Sequence, residues 1–366
     1  MSNNVKSISV GYNPVNKSKV FSSGDYISGR VTLELVNDCK IDSLCVKLKG
    51  KAEVKWTEHY GKTVVVYHNK EKYFSIKQFI IQEKQGNIKE KTYSNIIVTC
   101  PDCLIQCVVM PYRELPSSFK GSNGKILYTL EANLSRSMRL DCKAKAEFTV
   151  VHKANLKSDP LLMTPQHSFT DKKMKLFTSG TVGMDVNIER TGFHQGEGIK
   201  VVASIQNKSS RDIKPKYCLY RKYSYFAKGK RKVETKDILK EVGEVIPPSA
   251  DQTVTRIITI PSTTCVSILN CNIIKAEYRL RVYLDVKYAS DPEIKFPIVI
   301  LPASQGPDEE QPFVPPAYGF EAFAGGTSFQ QNPTAFGPSA PPPPYGTYGM
   351  YPSLRQPLQS SKLVFA

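Results

Sequence analysis

Long apolar runs are missing from this chain. The longest, Ile96 to Met110, is interrupted by Pro101 and Asp102 and is too short to cross a bilayer as a helix. The opening residues MSNNVKSISVGY hold no apolar segment of the kind a secretory leader needs, so no signal peptide is expected. The nine cysteines, at 39, 45, 100, 103, 107, 142, 218, 265 and 271, are odd in number and follow no framework spacing. That argues against a disulfide scaffold and for free thiols in a reducing compartment, where the sequons at Asn16, Asn133 and Asn207 stay idle.

Catalytic signatures are missing too. The five histidines (59, 68, 152, 167 and 194) form no H-x-x-x-H or HExxH pair. There is no G-x-x-x-x-G-K-[ST] phosphate loop and no G-x-S-x-G nucleophile elbow, so neither an enzyme nor a cofactor is expected. Cys100-Pro-Asp-Cys103, with Cys107 nearby, has half the spacing of a zinc site. Only Cys142 and His152 could complete it, and structural thiols are the simpler reading, so no metal is expected.

What the chain has is basic charge, alternating apolar residues and a proline-rich end. Its net charge is +17 over 366 residues. Residues 1–305 carry 48 Lys/Arg against 29 Asp/Glu, net +19, and the remainder carries 2 against 4, net −2. A body so charged is drawn to anionic surfaces, of which an acidic membrane leaflet and nucleic acid are the two candidates. Composition changes near residue 305, from Val, Ile, Leu and Lys to Pro, Gly, Gln, Ser and Phe. The segment after it cannot bury enough apolar surface to offset its ordering entropy and is expected to be disordered.

The body alternates with period two. Leu280, Val282, Leu284 and Val286 share one face, while Arg279, Arg281, Asp285 and Lys287 share the other. Val46 and Leu48 alternate with Lys47, Lys49 and Lys51 before Ala52, Val54 and Trp56, and Ile126 to Leu134 repeats the pattern after an Asn123-Gly124 turn signal. Helical periodicity never persists beyond about ten residues. Short strands separated by turns predict an all-β chain of two sandwiches. An internal echo supports two related halves. Phe21-Ser-Ser-Gly24-Asp25-Tyr-Ile27 recurs as Phe193-His-Gln-Gly196-Glu197-Gly-Ile199, and each copy continues as an alternating strand, to Asn37 and to Asn207.

The most basic stretch, Arg211 to Lys232, interleaves Tyr217, Tyr220, Tyr223, Tyr225 and Phe226 with cations. Rings between cations can stack the bases of single-stranded nucleic acid. They can equally face a core, leaving Gly229 and its lysines as a solvated hairpin tip. The second reading is the simpler one and no nucleic-acid partner is expected. Lys228, Lys230, Arg231 and Lys232 are then candidates for holding the body on acidic membranes.

The last 61 residues contain 12 prolines and 4 tyrosines. Pro315-Pro316-Ala317-Tyr318 and Pro342-Pro343-Pro344-Tyr345 are both P-P-x-Y motifs. Shuffling that composition gives about 0.15 such matches, so two are not expected from composition alone. Consecutive prolines hold an extended polyproline II backbone with little entropy left to lose on docking, which suits the groove of a WW domain. Pro338-Ser339-Ala340-Pro341 is a P-[ST]-A-P motif, and Tyr351-Pro352-Ser353-Leu354 has the Y-P-x-L pattern; both types dock on ESCRT components. Pro341 ends one motif and Pro342 begins the next, so a UEV domain and a WW domain compete for this stretch rather than sharing it.

Together these features resemble an α-arrestin, an arrestin domain-containing protein, over essentially the whole chain. The resemblance rests on Gly24-Asp25 with Gly29-Arg30-Val31, on Val46 to Trp56, on Leu115 to Gly121 followed by Gly124 to Tyr128, and on Asn155 to Leu161. In the second half it rests on Gly196-Glu197, Asn207 to Ile213, Cys271 to Ile274 and Pro297 to Ile300. Residues 96–112 depart from the family's Gly-turn and Pro-Phe pattern. The resemblance implies tandem immunoglobulin-like arrestin sandwiches at 1–155 and 173–304, a linker at 156–172 and a tail at 305–366. It implies a cytoplasmic trafficking adaptor, peripheral to plasma membrane and endosomes. Such an adaptor brings a WW-domain HECT E3 ubiquitin ligase, and an ESCRT-I UEV domain, to receptor or transporter cargo. The alternative is a retromer-like coat or sorting scaffold acting without a ligase. Neither a clathrin box nor adaptor-binding arginines occur in the tail, so those functions of visual and β-arrestins are not carried over.

Overall fold

The computed structural model describes residues 4–37, 39–82, 104–111, 114–153, 156, 159–173, 180–286 and 290–304, with the short strands at 92–93 and 97–98. In one sheet of the first sandwich, β3 (Tyr26–Leu35) pairs with β1 (Val5–Tyr12), β8 (Ile97–Val98) and β9 (Leu104–Val109). The opposing sheet runs in the order β2 (Val20–Phe21), β12 (Arg139–Val150), β11 (Gly124–Arg136), β5 (Ser43–Tyr60) and β6 (Thr63–Gln82), with β10 (Phe119–Lys120) also on β11. A small ladder joins β4 (Cys39–Lys40) to β7 (Thr92–Tyr93).

The second sandwich packs two sheets on its own core. One is β13 (Gln166–Lys173), β14 (Gly180–Ile188), β16 (Gly198–Ser209) and β19 (Ala250–Thr259). The other is β15 (Gly192–His194), β21 (Glu293–Leu301), β20 (Ile274–Asp285), β17 (Lys214–Ala227) and β18 (Lys230–Val242). Among the described residues the only helical element is a single 3-10 turn, Pro160–Met163, capped by the Asp159 carboxylate on the Leu161 N–H.

Alternation produces this architecture. Along β20, Leu280, Val282 and Leu284 are fully buried, each contributing about 1.5–3 kcal/mol relative to exposure. Their neighbours Arg279, Arg281 and Asp285 lie half-buried on the other face. Along β5, Val46, Leu48, Ala52, Val54 and Trp56 enter the core, and Lys49 on the opposite face meets Glu131 of β11 at 2.8 Å.

The expected linker is shorter than the sequence implied. Residues 166–172 belong to β13, which pairs antiparallel with β14 from Gln166↔Ile188 to Lys173↔Thr181. It is an edge strand with no buried residue, and its one large apolar side chain, Phe169, is 73% exposed. Backbone pairing rather than core burial makes it a strand.

The internal echo is a repeated turn. Gly24 and Gly196 adopt φ of +86° and +83°, a left-handed conformation that favours glycine. The following carboxylate folds back in both copies: Asp25 Oδ2 accepts from the Ser22 N–H at 2.7 Å, and Glu197 Oε2 from the His194 N–H at 2.7 Å. The preceding Phe21 and Phe193 are fully buried, and each ends a short strand (β2, β15) or lies within one that pairs parallel to its sheet.

Candidate functional site

The two sandwiches meet along a seam, and the basic hairpin lies at one end of it. Strands β17 and β18 are joined by Lys228-Gly229, whose φ values of +50° and +73° match the tight hairpin turn that follows the natural twist of paired strands. Tyr217, Tyr223 and Tyr225 are buried, so these interleaved rings serve the protein interior. The tip is solvated as expected, exposed from Lys228 to Arg231, and it also touches the first sandwich. Lys228 Nζ donates to the Val66 carbonyl of β6 at 3.0 Å, and Asn69 Nδ2 donates to the Phe226 carbonyl at 3.4 Å. Arg231 lies over the Phe226 ring, donates to Ser224 Oγ at 2.8 Å and faces Glu277 at 3.8 Å. The physical reason is the unpaired edge of β6, whose carbonyls need donors that the tip supplies.

Lys230 and Lys232 face the first sandwich's own hairpin. There Glu58 accepts from Tyr60 Oη at 2.6 Å and Trp56 Nε1 at 3.0 Å. Those bonds, with the field of Lys232 and Lys230, hold its carboxyl below the usual range. Close by on the same hairpin, Tyr60, Val64 and Val66 are exposed large side chains. Cations and apolar groups therefore share this end of the molecule.

Along the seam the first sandwich's core extends into the second half, beside that half's own separate core. Tyr223, Tyr225, Ala227, Ile268, Cys271 and Ile274 of the second half join the first sandwich's buried cluster. The Phe119 and Tyr223 rings meet edge to face at 5.0 Å. Close approach explains Gly124: a Cβ there would lie 2.9 Å from Val54 and 3.0 Å from both Ile274 and Tyr225. Polar clamps flank the apolar contact. Glu71 accepts from the Asn272 N–H at 3.0 Å and from its Nδ2 at 2.7 Å, while Glu234 accepts from Ser122 Oγ at 2.6 Å and from Asn123. Tyr73 Oη donates to Cys271 Sγ at 3.2 Å, and burial pushes that thiol's pKa up. Sequence reasoning missed Glu71, Asn69 and Glu234, because each is a polar residue on an alternating strand whose partner is more than a hundred positions away.

Cys39, Cys45, Cys142, Cys218, Cys265 and Cys271 are free thiols. No cluster of three or more metal-ligating side chains occurs among the described residues. Cys142 Sγ accepts from Arg136 Nη2 at 3.1 Å, while Cys100 and Cys103 lie outside the described residues. So do all the tail motifs: Pro315 to Tyr318, Pro338 to Pro341, Pro342 to Tyr345 and Tyr351 to Leu354.

Two tandem sandwiches, each entered through a glycine–acid turn and fused at an apolar seam, define an arrestin-type body. The arrestin (or S-antigen) N-terminal domain matches residues 8–157, and the arrestin (or S-antigen) C-terminal domain matches 178–305. The chain is 29% identical to arrestin domain-containing protein 4 of Mus musculus over 307 residues, covering 81% of this chain and 72% of that protein. It is 29% identical to the Homo sapiens counterpart over 311 residues, covering 81% and 71%. Identity to thioredoxin-interacting protein of Mus musculus is 26% over 302 residues, covering 81% and 73%. The chain belongs to the arrestin family, in its α-arrestin branch. An arrestin-type adaptor role goes with that membership.

Proposed function

We propose that this chain is a trafficking adaptor that links membrane-protein cargo to a WW-domain HECT E3 ubiquitin ligase, promoting ubiquitination, endocytosis and endosomal or lysosomal sorting. The observation that carries this reading is the pair of P-P-x-Y motifs, ending at Tyr318 and Tyr345, behind two arrestin sandwiches. Treated as a flexible coil, the 27 residues between those tyrosines span about 30 Å, enough to engage two WW domains of one ligase and gain avidity. Because the PSAP motif abuts Pro342, recruitment is ordered: Pro315 to Tyr318 keeps the ligase tethered while an ESCRT-I UEV domain takes Pro338 to Pro341. The Y-P-x-L at Tyr351 to Leu354 is a further ESCRT ligand.

The body works at the cytoplasmic face of plasma membrane and endosomes. Lys228, Lys230, Arg231 and Lys232 face acidic lipid there, supported by the exposed Tyr60, Val64 and Val66 on the adjoining hairpin. Co-precipitation of a WW-domain HECT ligase tests the proposal. Tyr345→Ala reduces capture, and combining it with Tyr318→Ala abolishes it. Undiminished capture by the double variant refutes the ligase link.

A further inference from the structure

Strand β13 leaves an open edge on the second sandwich. Among the described residues it pairs with β14 alone, from Gln166↔Ile188 to Lys173↔Thr181. An open edge presents backbone N–H and C=O groups to any strand that can reach it, and sheets ordinarily blunt such edges with like charges. Another edge of the same sandwich does so: β18, outermost in the opposing sheet, carries Lys230, Arg231, Lys232, Lys236 and Lys240. β13 does not. Its lysines, Lys172 and Lys173, are confined to one end, and Phe169 stands at its middle, 73% exposed.

The order of side chains along β13 says what fits this edge. His167, Phe169, Asp171 and Lys173 are exposed on one face, while Gln166, Ser168, Thr170 and Lys172 are partly buried on the other. A two-fold axis through Phe169, perpendicular to the sheet, sets a second copy of the strand antiparallel and keeps the faces matched. Phe169 then lies opposite Phe169, Ser168 opposite Thr170, His167 opposite Asp171 and Gln166 opposite Lys172. Each is a favourable cross-strand pair: ring on ring, hydroxyl on hydroxyl, imidazole on carboxylate, and amide on ammonium. Sliding by one residue turns the faces over, and sliding by two sets Phe169 against Asp171 or His167. His167 is already fixed on this face, with Nε2 on Asp185 Oδ1 at 2.8 Å, so its other ring nitrogen is left for the incoming Asp171. Lys172 Nζ donates to the Ser290 carbonyl at 2.6 Å and anchors that end of the strand.

We propose that this chain forms a two-fold dimer in which β13 pairs antiparallel with β13 of a second copy, joining two four-stranded sheets into one. The proposal does not rest on the ligase reading above. Sedimentation velocity of the full chain over a concentration series tests it, and a reversible monomer–dimer equilibrium is expected. Phe169→Asp removes the ring pair and sets two carboxylates face to face on the axis, raising the dimer Kd about tenfold or more. Because Phe169 is exposed, that variant keeps the melting temperature of the monomer. Register is read by disulfide trapping, with the native chain as the control for its own thiols. Phe169→Cys links to itself, because opposite Cα atoms of paired strands lie about 4.5–5.5 Å apart. His167→Cys and Asp171→Cys do not self-link, since each lies about 13 Å or more from its own copy. Mixing those two chains does link them, and the masses of the joined peptides identify the bridge. A chain that stays monomeric at every concentration, as it does if this edge serves a foreign strand instead, overturns the proposal. So does a dimer that survives Phe169→Asp unweakened, or one that Phe169→Cys fails to trap.

Discussion

The two sandwiches begin alike and end their first long strand differently. Both enter it through a buried phenylalanine, a left-handed glycine and a carboxylate that caps the turn. In the first, Val31, Leu33 and Leu35 are buried and the strand runs out at an exposed Asn37. In the second, Val201, Ala203 and Ile205 are buried and so is Asn207, with no exposed surface at all. Its Nδ2 donates to the carbonyls of Arg211, Ile246 and Pro247 at 2.7–3.0 Å, and its Oδ1 accepts from the Ser209 hydroxyl at 2.6 Å. One amide thus ties together the end of β16, the loop before β17 and the loop before β19. A repeated turn is preserved by local geometry, whereas the strand's exit is free to acquire a different task in each copy.

The largest break in this comparison comes from the asparagines. Asn207→Ala removes a fully buried amide that ties three carbonyls together and destabilises the chain by about 2 kcal/mol or more in equilibrium denaturation, while Asn37→Ala stays within about 0.5 kcal/mol. Equal effects at the two positions would show that the buried amide network has no special weight. The turns give the next largest effect, and here the halves agree. Asp25→Ala and Glu197→Ala each cost about 1–2 kcal/mol, the loss of a charge-assisted bond to a backbone N–H, read from the same denaturation curves. A cost at only one site would mean that the echo is sequence likeness without shared mechanics.

The smallest effect is a pH response placed in the first sandwich. A hydrogen bond to His68, together with Lys51 and Lys70, lowers the Glu53 pKa to about 2. A carboxylate depressed on folding stabilises fully above its unfolded pKa of 4.5 and loses that contribution as pH falls toward about 2. Solvent screening on this partly exposed face limits it to about 1 kcal/mol or less. Denaturation midpoints followed between pH 5 and about pH 2.5 should fall less steeply in Glu53→Gln than in the native chain.

Much of this fold was legible because alternation and burial coincide. Leu280 to Leu284 and Val46 to Trp56 face the core the period demanded, and the echo located the duplicated turn. Strand β13 was not legible, since Gln166 to Lys173 buries nothing and is ordered by backbone pairing with β14. Tyr217, Tyr223 and Tyr225 lie in the interior as read, while Tyr220 and Phe226 are only partly buried and the docking of the hairpin tip on β6 was not foreseen. Glu71, Asn69 and Glu234 carry no local mark, because a hydrogen bond spanning 112 to 201 positions leaves no periodic trace.

That the first sandwich's core reaches across the seam has a consequence for how the chain is made. The first sandwich needs Tyr223 to Ala276 to cover its apolar flank, yet those residues follow its last strand, β12, by more than 70 positions. At roughly 5–20 residues per second, a ribosome leaves that flank uncovered for several seconds or longer. During that interval the nascent N-terminal half is a natural client for chaperones, and a message truncated after β12 yields a sticky half-product rather than a smaller working adaptor.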